Sequence, residues 1–354
     1  MLLNKGGSMR NRFFLALFGL SFPSLAWSFD DIINGVESTT TDDYPNAGGM
    51  LAGTVVNFGG RQFDIKMLMC SSTLIAPDVV LLAAHCIDFS YYEQMAGIAF
   101  DNAEIGFSRQ SDLSAWSGMP GTEWPEDTVF AWEALPHPGF SMQTMGIGLT
   151  ENDDIALLFL EEPILDIEPA LLPTRSESQL VEEGTEVEIV GWGQQTSAQN
   201  PPAGTVGYKM HGYSHIAETA DYEFKVGEIE SDVRKCHGDS GGPTYLDVGD
   251  GMRIIGVTSH AYDFTDCRET GGVDTRVDHY LDWIDDEMRS RCEDGTRVWC
   301  ETDGIITPRW LELQSGSDEE TEGKGCGCAV SDSSTNPWWL AAMLGLIGLR
   351  RRQR

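Results

Sequence analysis

Short runs of β-branched and apolar residues, each bounded by Gly, Pro, Asp or Asn, follow one another between Ile32 and about Thr275. Five of these runs are DIKMLMCSSTLIA, DVVLLAAHC, IALLFL, TEVEIVGWG and RIIGVTSHA. Runs of this length and composition predict β-strands. The sequence VGDG at Val248–Gly251 separates TYL from RIIGV, and its Asp-Gly pair is typical of a hairpin turn that needs positive φ.

One longer helix is predicted at the end of this region, over Thr275–Met288. Val277, Tyr280, Leu281 and Ile284 fall on one face of that helix. A series of strands closed by a single terminal helix favours an all-β architecture of barrels. Barrels of roughly 200–250 residues can form one domain.

The composition supports a folded and exported protein. The chain has 354 residues, a formal net charge of -33 and 41% hydrophobic residues, which is enough apolar material for a core. Nucleic acid is excluded as a partner because phosphate binding requires basic patches, and the chain has 23 basic against 56 acidic residues. We interpret the acidity as a source of solubility outside the cell.

The N-terminus has the features of an export signal. A basic start, the apolar stretch Phe13–Phe22 and the small-residue sequence AWS at Ala26–Ser28 predict a signal peptide over residues 1–28. About ten apolar residues are too few to span a bilayer. The next three residues, 29–31, are predicted to form a short propeptide.

The chain contains eight cysteines, which in an exported protein indicate disulfides. They fall in sequence as four neighbouring pairs, although proximity alone does not prove pairing: Cys70 and Cys86, Cys236 and Cys267, Cys292 and Cys300, Cys326 and Cys328. No CxxC pair with zinc spacing occurs, and HGYSH at His211–His215 lacks the glutamate of an HExxH site. The sequence therefore predicts no metal site.

Three separate motifs supply the parts of a nucleophilic site. Ser240 lies in GDSGGP, where glycines allow a sharp turn and let the backbone N–H groups of Gly238 and Ser240 converge on an oxyanion. A serine needs a base, and LLAAHC offers His85 at a strand end. The base needs an orienting carboxylate, and NDDIALL offers Asp154 just before an apolar strand.

These motifs, in the order His85, Asp154, Ser240, resemble those of the trypsin-like serine proteases, which have the chymotrypsin fold. IINGVES at Ile32–Ser38 resembles the family's mature N-terminus, and GWG, IIGVTSHA and GGVDTRV follow in the family's order. The resemblance covers residues 32–290. It implies an all-β fold of two six-stranded antiparallel barrels with the active site between them and a C-terminal helix.

The resemblance also assigns roles to individual residues. It implies that His85 is the general base and acid, that Asp154 fixes the tautomer of His85, and that Ser240 is the nucleophile. Gly238 and Ser240 are implied to supply the oxyanion hole. The chemistry needs no metal or organic cofactor. The alternative is a protease-like chain that only binds proteins, but such chains usually lack a triad residue and none is missing here.

Further roles concern activation, substrate binding and the disulfides. Asp239 is implied to bind the freed α-amino group of Ile32. Ser259, His260 and Ala261 are implied to form the strand that pairs with the substrate backbone. Cys70–Cys86 and Cys236–Cys267 match two disulfides of the family.

Arg234 raises a question of specificity, because trypsin has an aspartate two residues before this cysteine, at the floor of its specificity pocket. Three interpretations are open. Arg234 at the floor would bind an acidic P1 side chain, the residue before the cleaved bond. Alternatively, Arg234 pairs with Asp274 and leaves a neutral or blocked pocket for small or apolar P1 residues. In the third interpretation Arg234 points to solvent.

The bond before Ile32 gives the acidic interpretation some support. The residue preceding this bond is Asp31, whereas zymogens of the family often carry Arg or Lys there. An enzyme that accepts acidic P1 residues could activate itself by cleaving after Asp31. Otherwise a separate activating protease is required.

The composition changes after Cys300. Residues 291–325 combine two cysteines with a polar, acidic linker, LQSGSDEETEGKG, that we predict to be disordered. Residues 326–354 contain the Gly-Cys doublet, an apolar run at Trp338–Leu349 and an arginine cluster, and they resemble myxobacterial C-terminal sorting signals. The resemblance implies a sorting protease, lipid modification at Cys326 or Cys328, and display on the surface of a Gram-negative bacterium; an uncut membrane tail is the alternative.

Overall fold

The β-rich pattern of the sequence corresponds to thirteen strands in the part of the chain that the structure, a computed structural model, describes. The described residues are 32–58, 60–96, 100, 103–117, 121, 123–196, 204–228, 231–262, 267 and 271–300. The predicted signal peptide, propeptide, acidic linker and sorting segment lie outside these residues.

Six antiparallel strands close into a first barrel in the order β2-β3-β4-β7-β6-β5. Their bounds are β2 Ala47–Phe58, β3 Arg61–Ala76, β4 Val79–Leu82, β5 Glu104–Ser108, β6 Val129–Pro136 and β7 Ala156–Leu160. The two shortest apolar runs, VVLL and ALLFL, are buried along their whole length. These two strands therefore lie in the interior of the fold and hold the segments that follow and precede them in fixed positions.

A second closed barrel follows in the order β8-β9-β10-β13-β12-β11, since β8 pairs with both β9 and β11. Its strands are β8 Glu186–Gly191, β9 Met210–Thr219, β10 Glu223–Val226, β11 Pro243–Asp247, β12 Met252–Ala261 and β13 Gly272–Arg276. The two-residue strand β1, Val36–Glu37, adds to β9 from outside. The predicted fold of two six-stranded barrels is confirmed.

The predicted hairpin turn is present between β11 and β12. Asp247 pairs with Met252, so the loop is the predicted VGDG segment. Gly249 and Gly251 adopt φ values of 93° and 136°, which side chains other than glycine rarely tolerate. Glycine at these two positions thus allows the tight reversal.

The terminal helix begins later than the sequence pattern predicts. Thr275 and Arg276 belong to β13, and a single 3-10 turn, Val277–Tyr280, leads into helix α2, Leu281–Glu293. The four residues predicted to share the apolar face are all buried. The apolar spacing identified the buried face, but hydrogen bonding to the neighbouring strand keeps the first two residues extended. A shorter helix, α1, spans Phe89–Ala96.

Three disulfides form as predicted: Cys70–Cys86, Cys236–Cys267 and Cys292–Cys300. The last one closes the segment after α2. Within that segment Arg297 forms an ion pair with Asp78, and both side chains are buried. Nη2 and Nε of the arginine lie 2.8 Å and 3.0 Å from Oδ1 of the carboxylate. The backbone N–H of Trp299 donates to the same carboxylate at 2.9 Å. This end of the described chain is thereby bonded to the loop between β3 and β4.

Among the described residues, none of the helices combines the length and the apolar character that crossing a bilayer demands.

Candidate active site

The register of β4 and β7 brings the predicted base and its carboxylate together. Leu82, at the end of β4, pairs with Ala156, at the start of β7. His85 follows the first strand by three residues and Asp154 precedes the second by two. In an antiparallel pair these two ends meet, and the Nδ1 atom of His85 lies 2.7 Å from Oδ2 of Asp154.

Asp154 is fully buried, and both oxygens of its carboxylate accept hydrogen bonds. Its Oδ1 accepts from the backbone N–H of His85 at 2.9 Å, and its Oδ2 accepts from the hydroxyl of Ser259 at 2.5 Å. Thr275 donates to the backbone carbonyl of Asp154 at 2.9 Å. These bonds fix the carboxylate on the imidazole in one orientation.

The electrostatics of the pair favour the ionised forms of both groups. Burial alone would raise the pKa of Asp154, but His85 and the hydrogen bonds outweigh it and hold that pKa below its usual value. Burial likewise opposes a charge on His85, yet the Asp154 carboxylate raises the pKa of the imidazole above its ordinary value. The carboxylate therefore stabilises an imidazolium at this position.

Ser240 lies in a turn that only glycines permit. Gly238 and Gly241 have φ values of 98° and 77°. A Cβ on Gly241 would lie 2.3 Å from the carbonyl oxygen of Ser71 and 3.3 Å from the amide nitrogen of Ala83. The N–H of Ser71 donates to the carbonyl of Ser240 at 2.8 Å. The serine turn is thus held against the strand end that carries the histidine.

A cavity opens beside Ser240. Among the described residues it is lined by Lys235, Cys236, His237, Ser240, Thr258, Ser259, His260, Ala261, Cys267, Gly271 and Gly272. The predicted substrate-binding residues Ser259, His260 and Ala261 are in this set. The two other predicted pocket residues, Arg234 and Asp274, are not.

The geometry agrees with the comparison with known proteins. The family model described as Trypsin matches residues 53–284, which is well over half of the chain. The chain belongs to the trypsin family. It is accordingly a serine-type endopeptidase, a hydrolase whose substrates are proteins or peptides.

Three relatives in the trypsin family are 27 to 30% identical to this chain over the residues that align. Human Kallikrein-11 is 28% identical over 236 residues, which cover 64% of this chain and 74% of its own length. Mouse Kallikrein 1-related peptidase b3 is 30% identical over 241 residues, covering 62% of this chain and 80% of its own. Phenoloxidase-activating enzyme 1 of Spodoptera litura is 27% identical over 243 residues, covering 62% and 59%.

Arg234 differs from the trypsin-family expectation for its position. Its side chain is buried rather than directed to solvent, and it lies against Gly227. Its backbone N–H donates to the carbonyl of Ile33 at 2.9 Å. The interpretation in which Arg234 points to solvent is therefore wrong, and Arg234 is not among the described residues that line the cavity.

The predicted partner of Asp274 is corrected by one position. Nζ of Lys235, not Arg234, lies 2.7 Å from both carboxylate oxygens of Asp274 and 2.5 Å from the hydroxyl oxygen of Thr244. All three side chains are buried. Burial lowers the pKa of the Lys235 ammonium, and Asp274 opposes that shift. The sequence did contain this cation, because Lys235 is the second basic residue before Cys236. It did not show which of the two adjacent side chains enters the pocket.

A second buried carboxyl group, which the sequence analysis did not single out, extends the network behind Asp154. The Oγ of Ser259 lies 3.0 Å from Nδ1 of His260, and that nitrogen lies 3.9 Å from Oε1 of Glu223. Glu223 accepts from the side chain of Asn152 at 2.9 Å. Burial raises the pKa of Glu223 to about 7. Phe224 and Val226 of β10 pack in the core of the second barrel, so Glu223 lies on the other face of the strand, where it bonds to the segment before β7.

The predicted activation residues Ile32 and Asp239 are both buried. Ile32 is fully buried and Ile33 pairs with Arg234. The carboxylate of Asp239 accepts from the N–H groups of Gly193 and Cys236, each at 2.8 Å. In the uncleaved chain the nitrogen of Ile32 is an amide, so it offers no charge to this carboxylate. Burial accordingly raises the pKa of Asp239 to about 6.

The buried carboxyl group of Asp239 should make the stability of the uncleaved chain depend on pH. The folded pKa of about 6 exceeds the ordinary value of 3.8, so the folded state binds the proton more tightly. We expect the contribution of Asp239 to the free energy of unfolding to fall by about 3 kcal/mol as the pH rises from about 4 to about 6. The measurement is urea unfolding of the inactive Ser240→Ala chain across this pH range.

Two comparisons control this measurement. The further change Asp239→Asn should remove that part of the pH dependence, and cleavage before Ile32 should reduce it, because the new ammonium compensates the carboxylate. An identical pH dependence in all three proteins would contradict the assignment.

Proposed function

We propose that Ser240 is the nucleophile of a peptide-bond hydrolysis that proceeds through an acyl-enzyme. The observation that carries this proposal is the Asp154 carboxylate, which holds Nδ1 of His85 at 2.7 Å and leaves Nε2 as the proton acceptor. Ser240 Oγ attacks the scissile carbonyl and transfers its proton to Nε2. The imidazolium then protonates the leaving amine, and water repeats the sequence to release the acid.

The oxyanion of each tetrahedral intermediate is proposed to bind to the backbone N–H groups of Gly238 and Ser240. The positive φ of Gly238 supports this role, since it turns the peptide chain sharply two residues before the serine. Fixed N–H donors in a closed site stabilise the charge as it develops.

Covalent labelling tests the proposal directly. A phosphonofluoridate probe should modify the activated protein at Ser240, as located by mass spectrometry of its peptides. Ser240→Ala should abolish the label, whereas Ser231→Ala, at an exposed serine nine residues earlier, should leave it unchanged. An activated chain with a free Ile32 terminus that is not labelled would instead be a non-catalytic binding protein.

The edge of the cavity supports a binding mode for the substrate backbone. Ser259, His260 and Ala261 form the end of β12, and all three line the cavity beside Ser240. An extended peptide could add to this strand through backbone hydrogen bonds. The substrate would then lie across the serine with its P1 side chain in the cavity.

Activation is proposed to follow cleavage between Asp31 and Ile32. The new ammonium of Ile32 would pair with the buried Asp239 and complete the site. If the enzyme processes itself, Ser240→Ala should remain uncut when produced alone. If a separate protease activates the chain, Ser240→Ala should be cut like the parent. Cleavage or resistance of Asp31→Ala would then show whether the cleaving enzyme recognises the aspartate.

The Lys235–Asp274 pair supports small or apolar P1 residues over acidic ones. The cation at the end of the cavity already has a carboxylate, so the cavity carries no net charge from this pair. Cleavage of a mixed peptide library should therefore cluster after small uncharged residues. Cuts clustered after Asp and Glu would restore the acidic interpretation and with it self-activation.

Export is supported by the disulfides, because such bonds persist in oxidising compartments. We propose that the enzyme is displayed at the cell surface of a Gram-negative bacterium, with residues 326–354 as the sorting or membrane segment. Fractionation of cells that express the chain with and without these residues tests this. Release of the truncated enzyme into the medium is the expected result; equal retention of both forms would contradict it.

A further inference from the structure

The cavity beside Ser240 ends on a side chain that separates it from a buried carboxylate. Lys235 lines the cavity, whereas its partners Asp274 and Thr244 are buried behind it. A Cβ on Gly272, which also lines the cavity, would lie 3.4 Å and 3.6 Å from Cβ and Cδ of Lys235. The aliphatic stem of the lysine therefore runs along the cavity wall before its ammonium reaches Asp274.

The ammonium of Lys235 is held by two buried partners. A lysine has three N–H donors. Nζ has three acceptors within 2.7 Å, namely the two carboxylate oxygens of Asp274 and the hydroxyl oxygen of Thr244. A P1 carboxylate that approached this ammonium would face Asp274 as a like charge. This arrangement disfavours acidic substrates even though the cavity contains a cation.

We infer that Lys235 is a specificity-determining residue that occupies, with its own side chain, a latent binding site for a primary ammonium on Asp274. The inference rests on the proposed function, in which this cavity receives the P1 side chain. Asp274 and Thr244 form a complete receptor for an alkylammonium, and Lys235 is its intramolecular occupant. Removing the lysine side chain should expose the carboxylate to a P1 lysine or arginine of the substrate.

The first test compares P1 preference in a matched set of variants. Lys235→Ala should raise kcat/KM for P1 lysine relative to P1 alanine by about 100-fold or more, since an unpaired buried carboxylate gains strongly from a cation. Lys235→Met keeps the stem but loses the charge, so it should stay closed to P1 lysine. Lys235→Ala with Asp274→Asn should accept larger apolar P1 residues without preferring basic ones.

Arg234→Gln is the control for the neighbouring cation. Because Arg234 does not line the cavity, its variant should keep the P1 ratios of the parent. A switch towards basic P1 residues in Arg234→Gln, or its absence in a folded Lys235→Ala enzyme, would overturn the inference.

The second test does not depend on catalysis. Lys235→Ala lacks three methylenes and the ammonium, which together correspond to propylammonium. In the Ser240→Ala background, millimolar propylammonium should raise the unfolding midpoint of Lys235→Ala and leave that of Lys235→Met unchanged. This holds even where Lys235→Ala is too unstable to assay. No stabilisation would contradict a latent ammonium site.

The two tests separate this inference from the proposed function. If Ser240 is not labelled yet propylammonium binds, the site on Asp274 is present and the catalytic proposal has failed. If Ser240 is labelled and Lys235→Ala gains neither P1 lysine cleavage nor propylammonium binding, the latent site is wrong and the enzyme remains.

Discussion

Replacing Asp154 by asparagine should lower kcat about 10⁴-fold, the magnitude that the triad template of this family gives for its aspartate. In the structure this carboxylate accepts from both the backbone N–H and Nδ1 of His85. An asparagine amide can turn its NH₂ group towards Nδ1, which would favour the tautomer with the proton on Nε2. That imidazole cannot accept the proton of Ser240.

Steady-state hydrolysis of a peptide ester, normalised to active sites by labelling, measures this effect. Ser259→Ala is the matched control, since it removes one neutral donor to Asp154 while leaving the charge. We expect a loss of about tenfold from Ser259→Ala, as one hydrogen bond to a charged group is worth about 1.5–3 kcal/mol and its site can rehydrate in part. If Asp154→Asn lost no more than Ser259→Ala, Asp154 would not be the orienting group.

Replacing Arg297 by alanine should lower the free energy of unfolding by about 3–5 kcal/mol, because it leaves the carboxylate of Asp78 buried without its cation. Both side chains are less than one-tenth exposed, and the ion pair has three contacts of 3.2 Å or less. Arg297 lies after residue 284, where the match to the family model ends. The ten residues 291–300 would thus be part of the stable fold.

Urea unfolding in the Ser240→Ala background avoids self-digestion and measures this loss. Arg289→Ala is the control, since its partner Asp285 lies four residues earlier on the same helix and the arginine is half exposed. Surface pairs of this kind contribute at most about 1 kcal/mol. Equal effects of the two substitutions would show that the segment is not anchored through Asp78.

The sequence was sufficient for the parts of the site that short motifs carry. His85, Asp154 and Ser240 each occur in a run whose strand or turn can be predicted locally, and their order identified the family. The register that unites the first two, Leu82 with Ala156, could be anticipated only through that resemblance. Local propensity does not specify which strands pair across 70 residues of chain.

The sequence alone did not predict which cation enters the specificity pocket, and the reason is physical. Arg234 and Lys235 are adjacent cations, and successive side chains of an extended segment point to opposite sides. Which one enters the cavity depends on the backbone conformation of the turn. That conformation is fixed by contacts with Ile33, which is far away in the sequence, and with Asp239, which follows the two cations. Glu223 was missed for a related reason, since its only local signal is one acidic residue in a strand.

The burial of Ile32 has a kinetic consequence for the proposed activation. Ile32 and Ile33 are no more than 3% exposed, and the next residues join β9 through β1. A protease must bind several residues around a bond in extended form, so it can act only when this segment has opened locally. The rate of activation is then the rate of cleavage multiplied by the small population of the open form. Weakening the contact between Ile33 and Arg234 should therefore hasten maturation, even though it touches neither the activating enzyme nor the residues that perform the chemistry.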